Sequence, residues 1–458
     1  MRSRRGFKTV TKILFALVLV AVMVSAVYAP VLPAVPYTLL WSDPVNVVDI
    51  AVSEDGRYVV VGSDSPDGGQ VRFYDRTSAN PKTPIWSVPN PLVPSVHVYS
   101  VAISADGDSV AAGYSESNGV TGYGVAYWKN ARTLTNPDQT TWESKDLGGP
   151  IGKRALDMSD DGNYVVACGT AVSVFYWAGA KGKSGLDVDT SWSYGMPANF
   201  EAVDISSDGD YVVVGVGTDV AYWKGARTST GSQAPAWVST EPNDAVVDVA
   251  VSDDGSYVAA AGGTDTVYYW AGAKTLTGNP TTSLTTWYGG IGVSFTSVDM
   301  SNDGNSVIAG ASSGVYFWGG ARTLTGKPQN PNWIYPTSTV SEVAIDDAGD
   351  YMVAANSVEP PHVVYFLDSS GNAKWTYQVD LHVNALSISS DGGTLAVGTG
   401  PLSRTAYLFD TGFPTRLAVG GFMEPVNKLS IIAPYVALFG VIATVAIFVA
   451  APWKKPKT

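Results

Sequence analysis

The stretch Val-Asp-Ile-Ser-Ser-Asp-Gly-Asp-Tyr-Val-Val-Val-Gly at residues 203–215 decides the fold. An alternating apolar run leads into Asp-Gly, and a second apolar run follows. That is the strongest short-range signal for a β-hairpin, because glycine accepts positive φ without strain. The phrase recurs with turn glycines at Gly56, Gly107, Gly162, Gly209, Gly255, Gly304, Gly349 and Gly392, spaced 43 to 55 residues apart. Seven of the eight carry Asp before the glycine, and the exception carries Ala348. Each copy therefore begins with two strands, A and B.

A third strand, C, follows in each copy, as Val-Ala-Tyr-Trp at 125–128 and 220–223, Val-Tyr-Tyr-Trp at 267–270 and Val-Tyr-Phe-Trp at 315–318. A fourth, D, is marked by Trp86, Trp142, Trp192, Trp237, Trp287, Trp333 and Trp375. Four short strands per repeat predict an all-β, eight-bladed β-propeller of four-stranded blades. Copy eight lacks its own D strand, whereas Leu39-Leu40-Trp41 precedes copy one without an A–C set. The expectation is closure by this N-terminal strand, which pairs the chain ends and removes the last sheet edge. Residues 416–420 offer a competing edge without a tryptophan.

The Ser-x-Asp-Gly turn, the apolar strand after it and the paired aromatic strand end resemble WD40 and related repeats. Leu367-Asp368-Ser369-Ser370-Gly371-Asn372-Ala373-Lys374-Trp375 is similar to the tryptophan-docking repeat of PQQ-like (quinoprotein-type) propellers, which are typically eight-bladed. The resemblance spans about residues 38–410. It implies a fold and leaves activity open, since these propellers host many functions.

Both ends of the 458-residue chain differ from this body. Residues 1–30 join a basic start (Arg2, Arg4, Arg5, Lys8, Lys12) to an apolar run, the pattern of a signal peptide or a signal-anchor helix. A linker at 411–428 leads to an apolar segment at 429–452, long enough to span a bilayer as a transmembrane helix. The basic tail at 453–458 carries Lys454, Lys455 and Lys457 and is expected to stay cytoplasmic. The propeller is then extracytoplasmic, held at the cell membrane through lipid contact of the terminal helices. Of 28 basic residues eight lie in these flanks, so residues 31–428 hold 20 against 41 acids, a net charge of −21. Nucleic acid is excluded as a partner, because binding it requires a basic surface. No Asn-x-Ser/Thr acceptor for N-glycosylation occurs.

Several chemistries are excluded by what is missing. Cys168 is the single cysteine, so the vicinal cysteine pair implied by the quinoprotein resemblance cannot form, and a disulfide framework is ruled out. None of the three histidines has a nucleophile-like context. Thirteen of the fourteen tryptophans occupy repeated strand positions and read as inter-blade packing. Gly148-Gly149-Pro150-Ile151-Gly152-Lys153 resembles a phosphate loop superficially, but no helix follows, and the repeat places it in a blade connection.

Two constellations stand out as candidate sites. Five residues before the turn glycine lie Asp157, Asp204 and Asp299, and seven before it Asp49, Asp248 and Glu342. These positions share a face of the innermost strand. The acids ring the axis, either as a divalent cation site or as inter-blade hydrogen-bond acceptors. Around blade seven, Glu359, His362, Asp380 and His382 suggest a Zn²⁺-type set or solvated loop residues. With B–C and D–A connections on one face, here the top, His97 and His382 fall in D–A connections and His362 in a B–C connection. Arg132, Lys181, Arg227, Lys274 and Arg322, four residues after the strand-C tryptophans, occupy the bottom face, there to pair with the Asp-Gly aspartates or to meet lipid headgroups. No catalytic residues, cofactor-binding residues or cofactor are expected. The functional expectation is a non-enzymatic binding or scaffold module for a protein or carbohydrate ligand on the top face. The alternatives are a metal-dependent enzyme or sensor at the channel mouth, and an envelope-assembly factor.

Overall fold

The computed structural model describes residues 37–413, except 65–68, 90–95, 118–120, 138–139, 146, 170–171, 243, 282–285, 291, 327 and 357–359. The terminal segments at 1–30, 429–452 and 453–458, most of the linker, the competing edge at 416–420, and Glu359 lie outside the described residues. Among those described, no helix is long and apolar enough to cross a membrane.

The repeat folds into eight sheets with strands in the order A-B-C-D. Blade four shows the pattern: Phe200–Ile205, Tyr211–Val216, Asp219–Lys224 and Trp237–Ser239. Strand A is innermost and touches its neighbours around the ring. Strand B is covered on both faces by adjacent blades, so it reads as an unbroken apolar run; Tyr58–Ser63 is buried throughout.

Local chemistry explains why each A–B turn forms. In blade one Ser53 Oγ donates to Asp55 Oδ1 (2.6 Å) and accepts from the Tyr58 N–H (2.9 Å), while Asp55 also accepts from the Arg57 N–H (2.9 Å). Gly56 takes φ 67° between them. These side-chain bonds satisfy the turn backbone, and that is why Ser, Asp and Gly recur together. In blade seven Asp346 replaces the serine and accepts from the N–H groups of Asp350 and Tyr351.

Aromatic donors hold neighbouring blades together. The strand-D tryptophan of one blade donates its indole N–H to a carbonyl of the next, as Trp86 to Ala131 (2.8 Å), Trp142 to Ala180 (3.0 Å) and Trp237 to Ala273 (3.0 Å). Those alanines open short 3₁₀ turns after strand C. The strand-C tyrosine adds a bond to the next turn glycine, as Tyr222 Oη to Gly255 O (2.6 Å). Cys168 is buried among apolar side chains in strand B of blade three.

Closure follows the expectation. Thr38–Asp43 pairs antiparallel with Ala406–Asp410 and completes blade eight as its outer strand, with a register shift between Leu39 and Trp41. Thr38 is the register partner of Asp410, so the two ends of the propeller leave side by side from the bottom face.

One element departs from the expectation. Ile151–Met158 is a strand, the innermost of blade three, so residues 148–150 of the glycine-lysine stretch lie in the connection but residues 151–153 do not. Its register shifts between Ile151 and Leu156. The bulge turns residues 152–155 out of the ladder, a displacement that the regular repeat does not reveal.

Candidate functional site

The central channel collects the six strand-A acids that the sequence analysis singled out, in layers set by their distance from the turn glycine. The upper layer holds Asp49, Asp248 and Glu342. The middle layer holds Asp157, Asp204 and Asp299. Five of these six acids serve as inter-blade acceptors. Asp49 Oδ2 accepts from Ser100 Oγ (2.8 Å) and the Val101 N–H (2.9 Å) of blade two. Asp248 does the same with Ser297 and Val298 of blade six, both at 3.0 Å. Asp157, Asp204 and Asp299 accept from the N–H groups of Ile205, Val251 and Ile345 at 3.2, 2.6 and 3.0 Å.

Glu342 is different, because blade three reaches it across the axis. The bulge delivers Lys153 and Arg154, and both pair with the Glu342 carboxylate. Arg154 also approaches Asp248 (3.5 Å) and donates to the carbonyls of Thr296 (2.9 Å) and Ser341 (3.2 Å). It does so from φ 60°, a left-handed backbone that a non-glycine residue adopts at a cost. One guanidinium therefore ties blade three to blades five, six and seven. Beside it lies a cavity of about 180 Å³, lined in part by Asp49, Lys153, Arg154, Asp248, Asp299 and Glu342.

Electrostatics follows the layering. Burial pushes Glu342 up, but Arg154 and Lys153 hold it below the ordinary glutamate value. Burial raises Asp49 and Asp248 in spite of the same two cations. In the middle layer burial pushes Asp299 up to about 7. Asp157 and Asp204 are both raised, by burial first, and their carboxyls hydrogen-bond each other.

A third layer closes the bottom mouth, and the sequence analysis missed it. The residue two before each turn glycine donates its N–H to the carbonyl of its counterpart in the next blade, from Glu54 to Ala105, Asp160, Ser207, Asp253, Asn302, Asp347, Ser390 and back to Glu54. Eight backbone hydrogen bonds of 2.9–3.3 Å thus form a closed ring. Acids occupy blades one, three, five and seven. Burial, then neighbouring carboxylates, pushes Glu54, Asp253 and Asp347 up to about 7. The signal was present in the x of Ser-x-Asp-Gly, a position that looks like surface until the ring is closed.

The other candidates are placed as follows. His362 begins strand C of blade seven, where it is buried with Nδ1 unpartnered in the described structure. Asp380 is exposed, and His382 sits against Gly400, at which a Cβ would meet Nε2 at 2.9 Å. Among the described residues no three His, Cys, Asp or Glu side chains are arranged to hold a metal ion. His97 lies within strand A of blade two, not in a connection, and pairs with Asp64 through Nδ1. Its cross-strand partner Ser115 donates to Tyr99 Oη (3.3 Å). On the bottom face Arg132 pairs with Asp108 (3.0 Å), Arg227 with Asp210 (3.3 Å), Lys274 with Asp254 (3.6 Å) and Arg322 with Asp303 (3.2 Å). Lys274 also covers the Tyr211 ring at 4.7 Å. Asp108 and Asp210 follow the turn glycine; the Asp-Gly aspartates Asp106 and Asp208 lie farther from the same guanidinium groups, at 3.9 and 3.6 Å, so all four cations pair at the A–B turns. The Lys181 carbonyl accepts from Lys129 Nζ (3.3 Å).

Among solved structures, the chain is similar to the C-terminal WD40 domain of Sif2, with a TM-score of 0.61 and 14% identity. The match covers 82% of this chain and 98% of that one. The fold is a WD40-like propeller. No family model and no curated protein matches the chain, so neither a WD40 family nor a quinoprotein-type family is assigned from sequence. With 1710 matching solved chains, the propeller architecture is too common to carry a function.

Proposed function

We propose that the chain is a membrane-anchored, extracytoplasmic propeller that binds a protein or carbohydrate on its top face without catalysing a reaction. The observation that carries this reading is the Thr38–Asp410 pairing. It puts both ends of the propeller on the bottom face, opposite the face that carries the B–C and D–A connections. The channel offers little for catalysis: five of its acids are committed to neighbouring backbones, and Arg154 and Lys153 neutralise the sixth. WD40-type propellers commonly serve as protein-binding scaffolds, which agrees with this reading. The orientation is tested by single cysteines at Pro360 (top) and Thr228 (bottom) in a Cys168→Ala background, labelled on intact cells with a bulky thiol reagent. Faster labelling at Pro360 is expected; equal labelling, or faster labelling at Thr228, overturns it.

A further inference from the structure

The outer edges of the blades are not alike. In blades two to five a segment of the following blade folds back and bridges the strand-D tryptophan in parallel, as Trp142 to Gly185, Trp192 to Gly231, Trp237 to Gly278 and Trp287 to Gly326. Blade three even gains a short fifth strand, Gly231–Ser232. Each bridging glycine has positive φ, between 71° and 101°, and each follows Ser or Thr. Under this cover the four tryptophans are 0–1% exposed.

The belt stops at blade six. Its strand D, Trp333–Pro336, carries no such bridge among the described residues. The reason is covalent. In blade seven only residues 369–372 separate His362–Asp368 from Ala373–Val379, too few to fold back, whereas in blade six the longer connection between Gly314–Gly319 and Trp333–Pro336 brings Gly326 onto Trp287 of blade five. The next blade also presents Leu367 where blades two to six present a strand-C tryptophan, so Trp333 loses its second aromatic neighbour and is only half-buried. Beside it Ile334 is 49% exposed, and the Tyr335 ring meets that of Tyr365 at a tilt, with centroids 5.4 Å apart.

We infer that the outer edge of Trp333–Pro336 is a docking site for an extended segment of a partner protein, added as a fifth strand with a Ser/Thr-Gly pair opposite Trp333. The edge continues directly from the four covered ones, and the covering segments define what fits it. A ladder of main-chain hydrogen bonds supplies the attachment, and the half-buried tryptophan and exposed isoleucine supply the apolar contact. Glycine is required because the bridging position is left-handed. This surface is distinct from the top face.

The test uses the full-length chain and a synthetic peptide with the sequence of residues 324–329, Leu-Thr-Gly-Lys-Pro-Gln. At ten times its Kd, amide exchange in Trp333–Pro336 should slow about tenfold. An Ile334→Asp variant, which keeps the fold because the side chain is exposed, should lose the protection. A peptide with valine in place of glycine should give none. The inference is overturned if Trp333–Pro336 is unprotected at saturating peptide, if the valine peptide protects equally, or if protection survives Ile334→Asp. Protection of this strand by a linear oligosaccharide and not by the peptide also overturns it.

Discussion

Trp41 stacks on Tyr74 with ring centroids 4.7 Å apart, across the seam where blade eight meets blade one. At the seven other seams the strand-D indole N–H donates to a carbonyl, whereas the buried Trp41 Nε1 has no hydrogen-bond partner among the described residues. Asp43 compensates at this seam by accepting from Arg72 (2.7 Å) and Tyr74 (2.5 Å). Replacing the indole at Trp41 should therefore cost less than at an ordinary seam. Trp237→Phe removes the indole bond to the Ala273 carbonyl, which keeps only the Leu276 N–H at 3.2 Å, a loss of about 0.5–1.5 kcal/mol for the hydrogen bond. Trp41→Phe is expected to cost under about 1 kcal/mol in chemical denaturation, because it breaks no hydrogen bond.

Removal of residues 37–42 is the stronger perturbation. It strips the outer strand from blade eight, exposes Ala406–Asp410 as a bare edge and breaks the aromatic contacts of Tyr37 with Trp375 and Phe409. The truncated protein should melt well below the intact one. Identical melting curves would show that another segment forms the edge.

Arg154→Ala should destabilise the propeller by about 3–5 kcal/mol, the usual cost of leaving buried charge unpaired. Glu342 and Asp248 both lose their guanidinium partner in this variant. Adding Glu342→Gln should recover part of the loss. Denaturant midpoints of the two single variants and the double variant provide the check, and simple additivity would contradict the cross-channel contact.

The acid layers predict an inverted response to pH. Glu54, Asp253, Asp299 and Asp347 titrate near 7 when folded, above the ordinary carboxylate range near 4. Between those values the folded state holds protons that the unfolded chain has released, so stability falls as pH rises from about 4 to about 7. Below that window the carboxylates held under their ordinary values, Asp75, Asp368 and Glu342 among them, are protonated and their stabilisation is lost. The melting temperature should therefore be higher at pH 5 than at pH 8. Asp253→Asn should raise the pH 8 value and narrow the difference.

Two turn glycines separate backbone strain from crowding. Gly255 and Gly225 both have φ 72°, so alanine at either meets the left-handed penalty of about 1–2 kcal/mol. A Cβ at Gly255 would also lie 2.2 Å from the Tyr211 ring of the preceding blade, whereas one at Gly225 meets nothing within 4 Å. Gly255→Ala should be clearly the more damaging in thermal melts.

The repeat made the blades and the closing strand legible, because Asp-Gly and the strand-D tryptophan mark covalent positions that every copy must share. It also exposed the axial acids, and of their two readings the geometry displays the inter-blade one. The role of Arg154 was hidden. Its side chain reaches the axis through a bulge in one strand, and a pattern built from eight copies averages such a departure away. His382 lies in the D–A connection expected of it, between Ala373–Val379 and Val383–Ile388, and His362 misses its connection by one residue as the first of strand C. His97 was misplaced for a related reason: the strands of blade two run longer than the repeat, with Val96–Ile103 enclosing it and Ser109–Ser117 and Thr121–Lys129 as the central hairpin.

The bottom ring has a consequence for how this architecture can change. Acids at Glu54, Asp160, Asp253 and Asp347 alternate with Ala105, Ser207, Asn302 and Ser390, so each carboxylate is flanked by uncharged neighbours. The true period at the mouth is two blades, and the eight-fold scaffold carries a four-fold charge pattern. Gain or loss of a single blade at this mouth would bring two acids, or two uncharged residues, side by side. Only steps of two blades preserve the spacing, which makes the blade pair, not the blade, the unit by which such a ring can grow or shrink.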